Sequence, residues 1–242
     1  MRHNYRISLW NYFHYNAPGT LERVIGQIRD DGFGVEIWPR WFEEGNIFDP
    51  IYRRRLQLLI GDMPSSLHGG SQDNLEWQRL QVETAADTNS DVIVVHSGNL
   101  RLGGDDPDFA FAQEVLDMAS SSGIKIALEN GDLGILQRAL ENLDGLNICL
   151  DVGHIYFTSN TMKDFVDSLV DNICHLHIQD TLGKIDHYTP GTGIIPIDDW
   201  KYLFRRLDER GFDGASVLEI RPRSPLQHAE LTRKFFSDNF PE

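Results

Sequence analysis

The chain has 242 residues, 40% of them aliphatic or aromatic, so it is long enough to bury a substantial core. Its formal net charge of −15 would repel a phosphate backbone, and the run Arg53–Arg55 has no dense basic surroundings, which argues against a nucleic-acid partner. The sequence has no run of about 18 apolar residues, so we expect no membrane span. The first ten residues lack the apolar stretch of a signal peptide. Cys149 and Cys174 lie in apolar runs, so we predict reduced thiols and a cytoplasmic location.

Short apolar runs recur along the chain and predict β-strands. In chain order they are Arg6–Trp10, Gly34–Trp38, Ser65–His68, Asp91–His96, Lys125–Glu129, Asn147–Asp151, Cys174–Ile178 and Ser216–Ile220.

Between these runs, apolar residues recur at spacings of three and four, which is typical of a helix with one buried face. Such faces comprise Leu21, Val24, Ile25 and Ile28; Phe165, Leu169 and Val170; and Trp200, Leu203, Phe204 and Leu207. Thr20 is a candidate N-cap for the first of these helices, and Asp31-Gly32 would end it. Ser224-Pro225 resembles an N-cap followed by a first-turn proline for the last helix.

Strands that alternate with helices favour parallel pairing. Eight strand–helix units in about 240 residues match the usual size of an α/β (β/α)₈ TIM barrel, here as a single domain over residues 1–242. The alternative, an open doubly wound sheet that binds a nucleotide, would need a Gly-rich turn after an early strand, and the sequence has none there.

Acidic residues and histidines fall at or near the ends of the predicted strands. They are Glu36, His68, His96, Glu129, Asp151, His177 and Glu219. Because charged groups avoid strand interiors unless they are used or satisfied, and because TIM barrels place functional groups at the C-terminal ends of their strands, this pattern predicts a polar site at that end.

Four consecutive predicted strands supply Glu129, Asp151, His177 and Glu219. Three carboxylates and one imidazole suit a divalent cation such as Mn²⁺, Mg²⁺, Co²⁺ or Zn²⁺. His154 follows Asp151 by three residues and is a further candidate for the same pocket. His68 and His96 are candidates either for a second metal or for substrate binding as neutral imidazoles.

Several segments together resemble the xylose isomerase-like TIM-barrel superfamily, also described as sugar phosphate isomerase/epimerase or AP endonuclease family 2. They are LENGD at 128–132, LDVGH at 150–154, HLHIQD at 175–180, DHYTPGTG at 186–193 and LEI at 218–220. The superfamily includes sugar isomerases and epimerases, inosose dehydratase-type enzymes and endonuclease IV. The resemblance implies that Glu129, Asp151, His177 and Glu219 bind the metal and that His154 contacts substrate or a second metal.

The chain also departs from particular branches. Ile135 stands where ketose 3-epimerases carry an additional substrate-binding Glu, and Gly183 stands where they carry an Arg. Endonuclease IV has an Asp-x-His segment where this chain has Asp186-His187. If His187 takes the histidine place, Ile185 falls where an Asp ligand belongs, so the sequence predicts an incomplete three-metal site.

The resemblance implies a metal-dependent isomerase or epimerase, or a dehydratase, that acts on a sugar or polyol ketone through an enediolate. Glu129 and Glu219 would form the acid/base pair, and a metal-assisted hydride shift is the alternative that the sequence leaves open. Substrate would be bound by Glu36, His68, His96, His154, His187 and Arg221, and Trp10, Trp38 and Trp41 are candidates for apolar contacts with a sugar ring. The alternatives are an endonuclease IV-like zinc phosphodiesterase acting on abasic DNA and a non-catalytic binding protein. The expected partners are a small-molecule substrate and a possible second copy in a homodimer.

Overall fold

The computed structural model describes residues 4–14, 20–41, 44–221 and 225–240. Eight parallel strands close into a barrel, which confirms the predicted α/β TIM barrel. The barrel strands are β1 (Asn4–Ser8), β2 (Gly34–Ile37), β5 (Ser65–His68), β6 (Ser90–Val95), β7 (Lys125–Glu129), β8 (Asn147–Asp151), β9 (Ile173–Ile178) and β10 (Ala215–Leu218). Around the barrel they follow the order β1-β10-β9-β8-β7-β6-β5-β2. A small antiparallel ribbon, β3 (Arg40–Trp41) with β4 (Gly45–Asn46), follows β2.

Helices connect the barrel strands. They are α1 (Trp10–His14), α2 (Leu21–Asp30), α3 (Pro50–Ile60), α4 (Leu75–Asp87), α5 (Phe109–Ser121), α6 (Leu133–Asn142), α7 (Val152–Ile155), α8 (Met162–Leu169), α9 (Ile197–Glu209) and α10 (Pro225–Asn239), with a short 3₁₀ helix over Ser97–Leu100. Among the described residues, no helix is long and apolar enough to cross a membrane.

The predicted helix faces are buried in the structure. The four apolar residues of α2 are fully buried, and Thr20 caps this helix by accepting a hydrogen bond from the Arg23 backbone N–H. The apolar faces of α8 and α9 are buried in the same way. Ser224 lies outside the described residues, whereas α10 does begin at Pro225. All predicted strand boundaries agree with the structure to within two residues, and Trp10, predicted to end β1, opens α1.

The main hydrophobic core lies between the outer faces of the strands and the surrounding helices, whereas the barrel interior is mixed. A small interior cluster contains Val92, Val94, Ala127 and Cys149. Because side chains alternate along a strand, the same interior also receives polar residues from other strands. These buried residues include Arg6, Glu36, Ser66, His175 and His177. The centre of the barrel interior is therefore partly polar, and its C-terminal end is polar.

Candidate metal and substrate site

Four side chains converge at the C-terminal end of the barrel. Glu129 and Asp151 end β7 and β8, His177 lies near the end of β9, and Glu219 directly follows β10. Each offers one ligand atom, and these four atoms all lie within 4.8 Å of one another. Strand register explains the convergence. His177 on β9 pairs with Asp151 on one side and with Val217 on the other, and Glu219 lies two residues after Val217.

The Nδ1 atom of His177 occupies the centre of this group. It lies 3.1 Å from Glu219 Oε2, 3.5 Å from Glu129 Oε1 and 3.9 Å from Asp151 Oδ2. Both His177 Nδ1 and Glu129 Oε2 are buried and make no hydrogen bond of acceptable geometry. Buried polar atoms without partners are rare in proteins, so these two atoms fit a ligand set that a divalent cation would complete.

The pKa shifts of the three carboxyl groups also fit a cation-binding site. Burial raises the pKa of the Asp151 carboxyl, and the nearby charge of Glu129 raises it further, although His154 opposes the shift. Burial would also raise the pKa values of Glu129 and Glu219, but His177 and the other imidazoles outweigh it and lower both pKa values. Carboxylates this close stabilise one another only through intervening positive charge, which is what a cation would supply.

A tight turn brings His154 to the same pocket. The Asp151 carboxylate caps α7 by accepting a hydrogen bond of 2.9 Å from the backbone N–H of His154. The His154 Nδ1 atom then lies 3.3 Å from Glu129 Oε1 and 3.5 Å from Asp151 Oδ2. Burial lowers the pKa of His154, but Asp151, Asp186 and Glu129 outweigh this and raise it to about 11.

His68 and His96 flank the other oxygen of Glu129. His68 Nε2 lies 3.5 Å and His96 Nδ1 3.4 Å from Glu129 Oε2, and the ligand atoms of the three side chains lie within 4.8 Å of one another. His68 is buried and contacts the Gly69 carbonyl through Nδ1, whereas the side chain of His96 is 53% exposed. Both residues therefore line the site, and His96 faces its open side.

The loop after β9 supplies a carboxylate that the sequence analysis missed. His154, Asp186 and His187 form a third group whose ligand atoms lie within 4.8 Å of one another. His187 has a φ of 61°, a left-handed conformation that lets neighbouring side chains point to one side instead of alternating. Asp186, and not the residue at position 185, is therefore the carboxylate candidate of this loop, and the predicted incomplete three-metal site stays a prediction.

This loop is folded around the buried carboxylate of Asp180. The carboxylate accepts hydrogen bonds from the backbone N–H groups of Thr181, Gly191, Gly193 and Ile195. A β-carbon on Gly193 would lie 2.1 Å from Asp180 Oδ1, so this position requires glycine. The PGTG segment therefore has a structural role in this loop.

Two amides tie the strand ends together, and the sequence analysis had singled out neither. The Gln179 amide nitrogen donates to Asp151 Oδ2 at 2.6 Å, while its oxygen accepts from the His187 backbone N–H. Asn130 donates to the Asp151 carbonyl at 3.0 Å and accepts from the Asp151 N–H at 2.5 Å. The segments LENGD and HIQD contain both residues, but only spatial proximity to Asp151 reveals what they do.

The other candidate substrate contacts differ in how close they lie to the site. The indole of Trp10 packs on His187 in a tilted arrangement with ring centroids 4.0 Å apart, and Trp38 packs on His68 at 4.7 Å, so both border the site. Trp41 is fully buried in the hydrophobic core and cannot offer a face to a sugar ring. The side chain of Arg221 is 38% exposed and its Nε donates to the Asp186 carbonyl at 2.9 Å, which places it at the rim.

Glu36 differs most from its expected role as a substrate contact. It is fully buried, and its carboxylate faces His175, His177 and Ser66 inside the barrel. Burial would raise its pKa, but His177 and His175 hold the pKa well below its usual range. A side chain in this position has no free surface with which to touch a substrate, so the expectation is corrected.

The family model described as "Xylose isomerase-like TIM barrel" matches residues 20–236, and the chain belongs to this family. An uncharacterized protein of Methanocaldococcus jannaschii, MJ1311, is 30% identical over 66% of this chain and 61% of its own length. Fructoselysine 3-epimerase of Shigella flexneri is 35% identical over 29% of this chain and 25% of its own length. Inosose dehydratase of Serratia proteamaculans is 24% identical over 52% of each.

The same fold occurs in solved structures, among them an L-ribulose 3-epimerase with a TM-score of 0.76 and 16% identity over 98% of this chain and 94% of that one. The matches to the three curated relatives span between a quarter and about three fifths of those relatives' own lengths. An epimerase and a dehydratase stand among these relatives, and the chain shares their fold family.

Proposed function

We propose that this protein is a divalent-metal-dependent isomerase or epimerase, or a dehydratase, that acts on a sugar or polyol ketone. One observation carries the proposal: Glu129, Asp151, His177 and Glu219 present four buried ligand atoms within 4.8 Å of one another. The named activities of the relatives, a 3-epimerase and an inosose dehydratase, support the same substrate class. Free Cys149 and Cys174 suit the reducing cytoplasm that we predicted.

The four side chains would hold the cation, which when bound would polarise a substrate carbonyl and stabilise the negative charge that develops during proton removal. Glu129 and Glu219 stand at the two ends of the arc of four strands. One carboxylate would take the proton from the carbon next to the carbonyl, and the other would return a proton to the substrate. Asp151 is tied to Gln179 and Asn130 and would serve as a fixed ligand.

The remaining side chains would orient the substrate. His68, His96 and His154 surround Glu129, and their ring nitrogens would bind substrate hydroxyl groups. Trp10 and Trp38 would cover apolar faces of the sugar and exclude water. Arg221 and His187 would contact the distal end of the substrate from the rim of the site.

The proposal is tested by metal titration and by incorporation of solvent deuterium into a panel of ketoses and polyol ketones. We expect the wild type to bind the metal and to exchange a carbon-bound hydrogen, and Glu129→Gln and Glu219→Gln to reduce turnover by roughly 10²–10⁴-fold. Glu141→Gln on the exposed side of α6 serves as the control. Unchanged metal affinity and turnover in both site variants would exclude the proposal. Detectable exchange in the wild type would exclude a binding protein, whereas absence of both exchange and turnover would favour one.

A second candidate, a zinc phosphodiesterase, is favoured by a specific observation. The groups His68/His96/Glu129 and His154/Asp186/His187 adjoin the central group, so that the site offers ligands for more than one cation. The net charge of −15 opposes DNA binding. Two or three zinc ions per chain, with cleavage of abasic DNA or of a simple phosphodiester, would support this candidate; a single ion and no cleavage would exclude it.

A further inference from the structure

The Glu36 carboxylate on β2 lies inside the barrel, beneath the proposed metal ligands, and the chemistry proposed above leaves it without a role. Glu36 Oε2 lies 2.9 Å from His175 Nε2 and 3.2 Å from Ser66 Oγ. His177 Nε2 makes its hydrogen bond to the same oxygen at 3.4 Å, and Glu36 Oε1 lies 3.2 Å from it without hydrogen-bond geometry. All four side chains are at most 1% exposed, so water does not compete for these contacts.

The two nitrogens of His177 face different surroundings. Nε2 faces the Glu36 carboxylate, while Nδ1 faces Glu219, Glu129 and Asp151 at the proposed metal position. A neutral imidazole has one N–H donor and one lone pair, and the hydrogen bond of one nitrogen decides which form is present. Carboxylates face both nitrogens, but a cation at the metal position needs the Nδ1 lone pair. The carboxylate at Nε2 is therefore the one that keeps the ring proton.

We propose that Glu36 is a positioning residue that holds His177 in the Nε2–H form, so that Nδ1 is its metal-binding atom, a role that rests on the proposed metal-dependent function. The carboxylate acts through His177 and contacts neither the metal position nor the substrate. Metal-binding histidines commonly donate their other N–H to such a carboxylate, which fixes the ring orientation and raises the basicity of the ligand.

The number of donors around Glu36 explains why a carboxylate is needed. The hydrogen bonds of His175 Nε2, His177 Nε2 and Ser66 Oγ all run to Glu36 Oε2. An ionised carboxylate can accept from all three, because it carries no hydrogen. A Gln side chain would place its NH₂ group either at Oε2, facing all three donors, or at Oε1, 3.2 Å from His177 Nε2. In either case one imidazole would have to rotate, change its tautomer or lose its partner.

The spacing of the two histidines supports the same role. His175 and His177 occupy successive inward positions on β9, and Glu36 bridges them from β2 across the barrel. These strands are not neighbours in the barrel, since β10 and β1 lie between them. The contact is therefore a side-chain bridge across the interior, and it fixes the height and rotation of His177 relative to Glu129 and Glu219.

The first test measures Co²⁺ binding, by titration and by the visible absorption of the bound ion, in wild type, Glu36→Gln and Ser65→Ala. Ser65 is the matched control because it lies next to Ser66 on β5 and loses a buried hydrogen bond to the Thr88 carbonyl without reaching His177. We expect Glu36→Gln to weaken Co²⁺ binding by roughly 10–100-fold and to shift its absorption bands. We expect Ser65→Ala to bind as the wild type does.

A folded Glu36→Gln protein with wild-type Co²⁺ affinity and an unchanged spectrum would overturn the inference. If that variant does not fold, the wild type alone provides the second test, by ¹⁵N NMR of histidine-labelled protein loaded with ¹¹³Cd²⁺. We expect a ¹¹³Cd–¹⁵N coupling at His177 Nδ1 and a proton on Nε2. Coupling at Nε2 would overturn the inference, whereas a wild type that binds neither Co²⁺ nor Cd²⁺ would refute the proposed function itself.

Discussion

The two ends of the barrel treat buried charge in opposite ways. At the N-terminal end, the buried Arg6 guanidinium reaches the Asp91 carboxylate through two hydrogen bonds of 2.7 and 2.6 Å. At the C-terminal end, three carboxylates and several imidazoles converge, and Glu129 Oε2 and His177 Nδ1 stay without hydrogen bonds. One end pairs one guanidinium with one carboxylate, whereas the other end brings together three carboxylates that repel one another.

This difference distinguishes buried charges that stabilise the fold from buried charges that serve a binding site. A buried ion pair with matched partners stabilises a particular arrangement and needs nothing more, although its net contribution to stability is modest. Converging carboxylates of like charge cost stability unless a ligand neutralises them, and such groups cluster at functional sites. Changes at the C-terminal end should therefore affect binding and turnover most, and changes at the N-terminal end should affect folding.

Metal removal should give the largest effect. We expect chelation with EDTA to abolish turnover, because the proposed ligands would lose the cation that polarises the substrate. Restoring the metal at 100 times its Kd should stabilise the fold by about 2.7 kcal/mol in urea unfolding. In Glu219→Gln, added metal should give much less stabilisation. Full turnover after chelation would show that the C-terminal end works without a cation.

Crowding the loop around Asp180 should have the next largest effect. In Gly193→Ala the new methyl group would lie 2.1 Å from Asp180 Oδ1 and 2.3 Å from the Thr181 carbonyl oxygen. We expect a loss of roughly 1–3 kcal/mol in the free energy of unfolding, and reduced turnover because the same loop carries Asp186 and His187. Gly103→Ala, where a methyl group meets no atom within 4 Å, is the control. Equal stability of the two variants would contradict the packing argument.

Breaking the pair at the opposite end should cost stability alone. Asp91→Ala leaves the Arg6 guanidinium buried without its carboxylate, and we expect a loss of about 1–3 kcal/mol in urea unfolding with unchanged turnover. The cost falls below that of a fully buried pair because the Asp91 side chain is 57% exposed. Glu83→Gln, which removes only a surface contact with Arg53, should change stability by less than ~1 kcal/mol. A large loss of turnover in Asp91→Ala would contradict the expectation that the N-terminal end serves the fold alone.

The smallest expected effect is the pH dependence of that pair. Burial opposes ionisation of Asp91, but the hydrogen bond from Arg6 outweighs it and lowers the pKa of the carboxyl. The stabilisation is therefore present above the unfolded pKa of about 3.9 and is lost as the pH falls through the lower folded pKa. The stability difference between wild type and Asp91→Asn should shrink from pH 6 to pH 3, and a constant difference would refute the assignment.

Chain order and periodicity predicted most of the fold, because local patterns are sufficient for it. Apolar runs gave the eight strands, and spacings of three and four gave the buried faces of α2, α8 and α9. Strand-end position also predicted the convergence of Glu129, Asp151, His177 and Glu219, because parallel strands in a barrel end at the same side. That these residues bind a metal stays a proposal.

What each residue touches was decided by the closure of the barrel. The sequence determined which side chains lie at strand ends, since that depends on alternation and on the lengths of the strands. Only the tertiary structure buried Glu36 beneath His177, brought Asp186 beside His154 through the left-handed backbone of His187, and buried Trp41 in the core. These outcomes depend on contacts between distant parts of the chain and on one unusual backbone angle, and no local pattern encodes either.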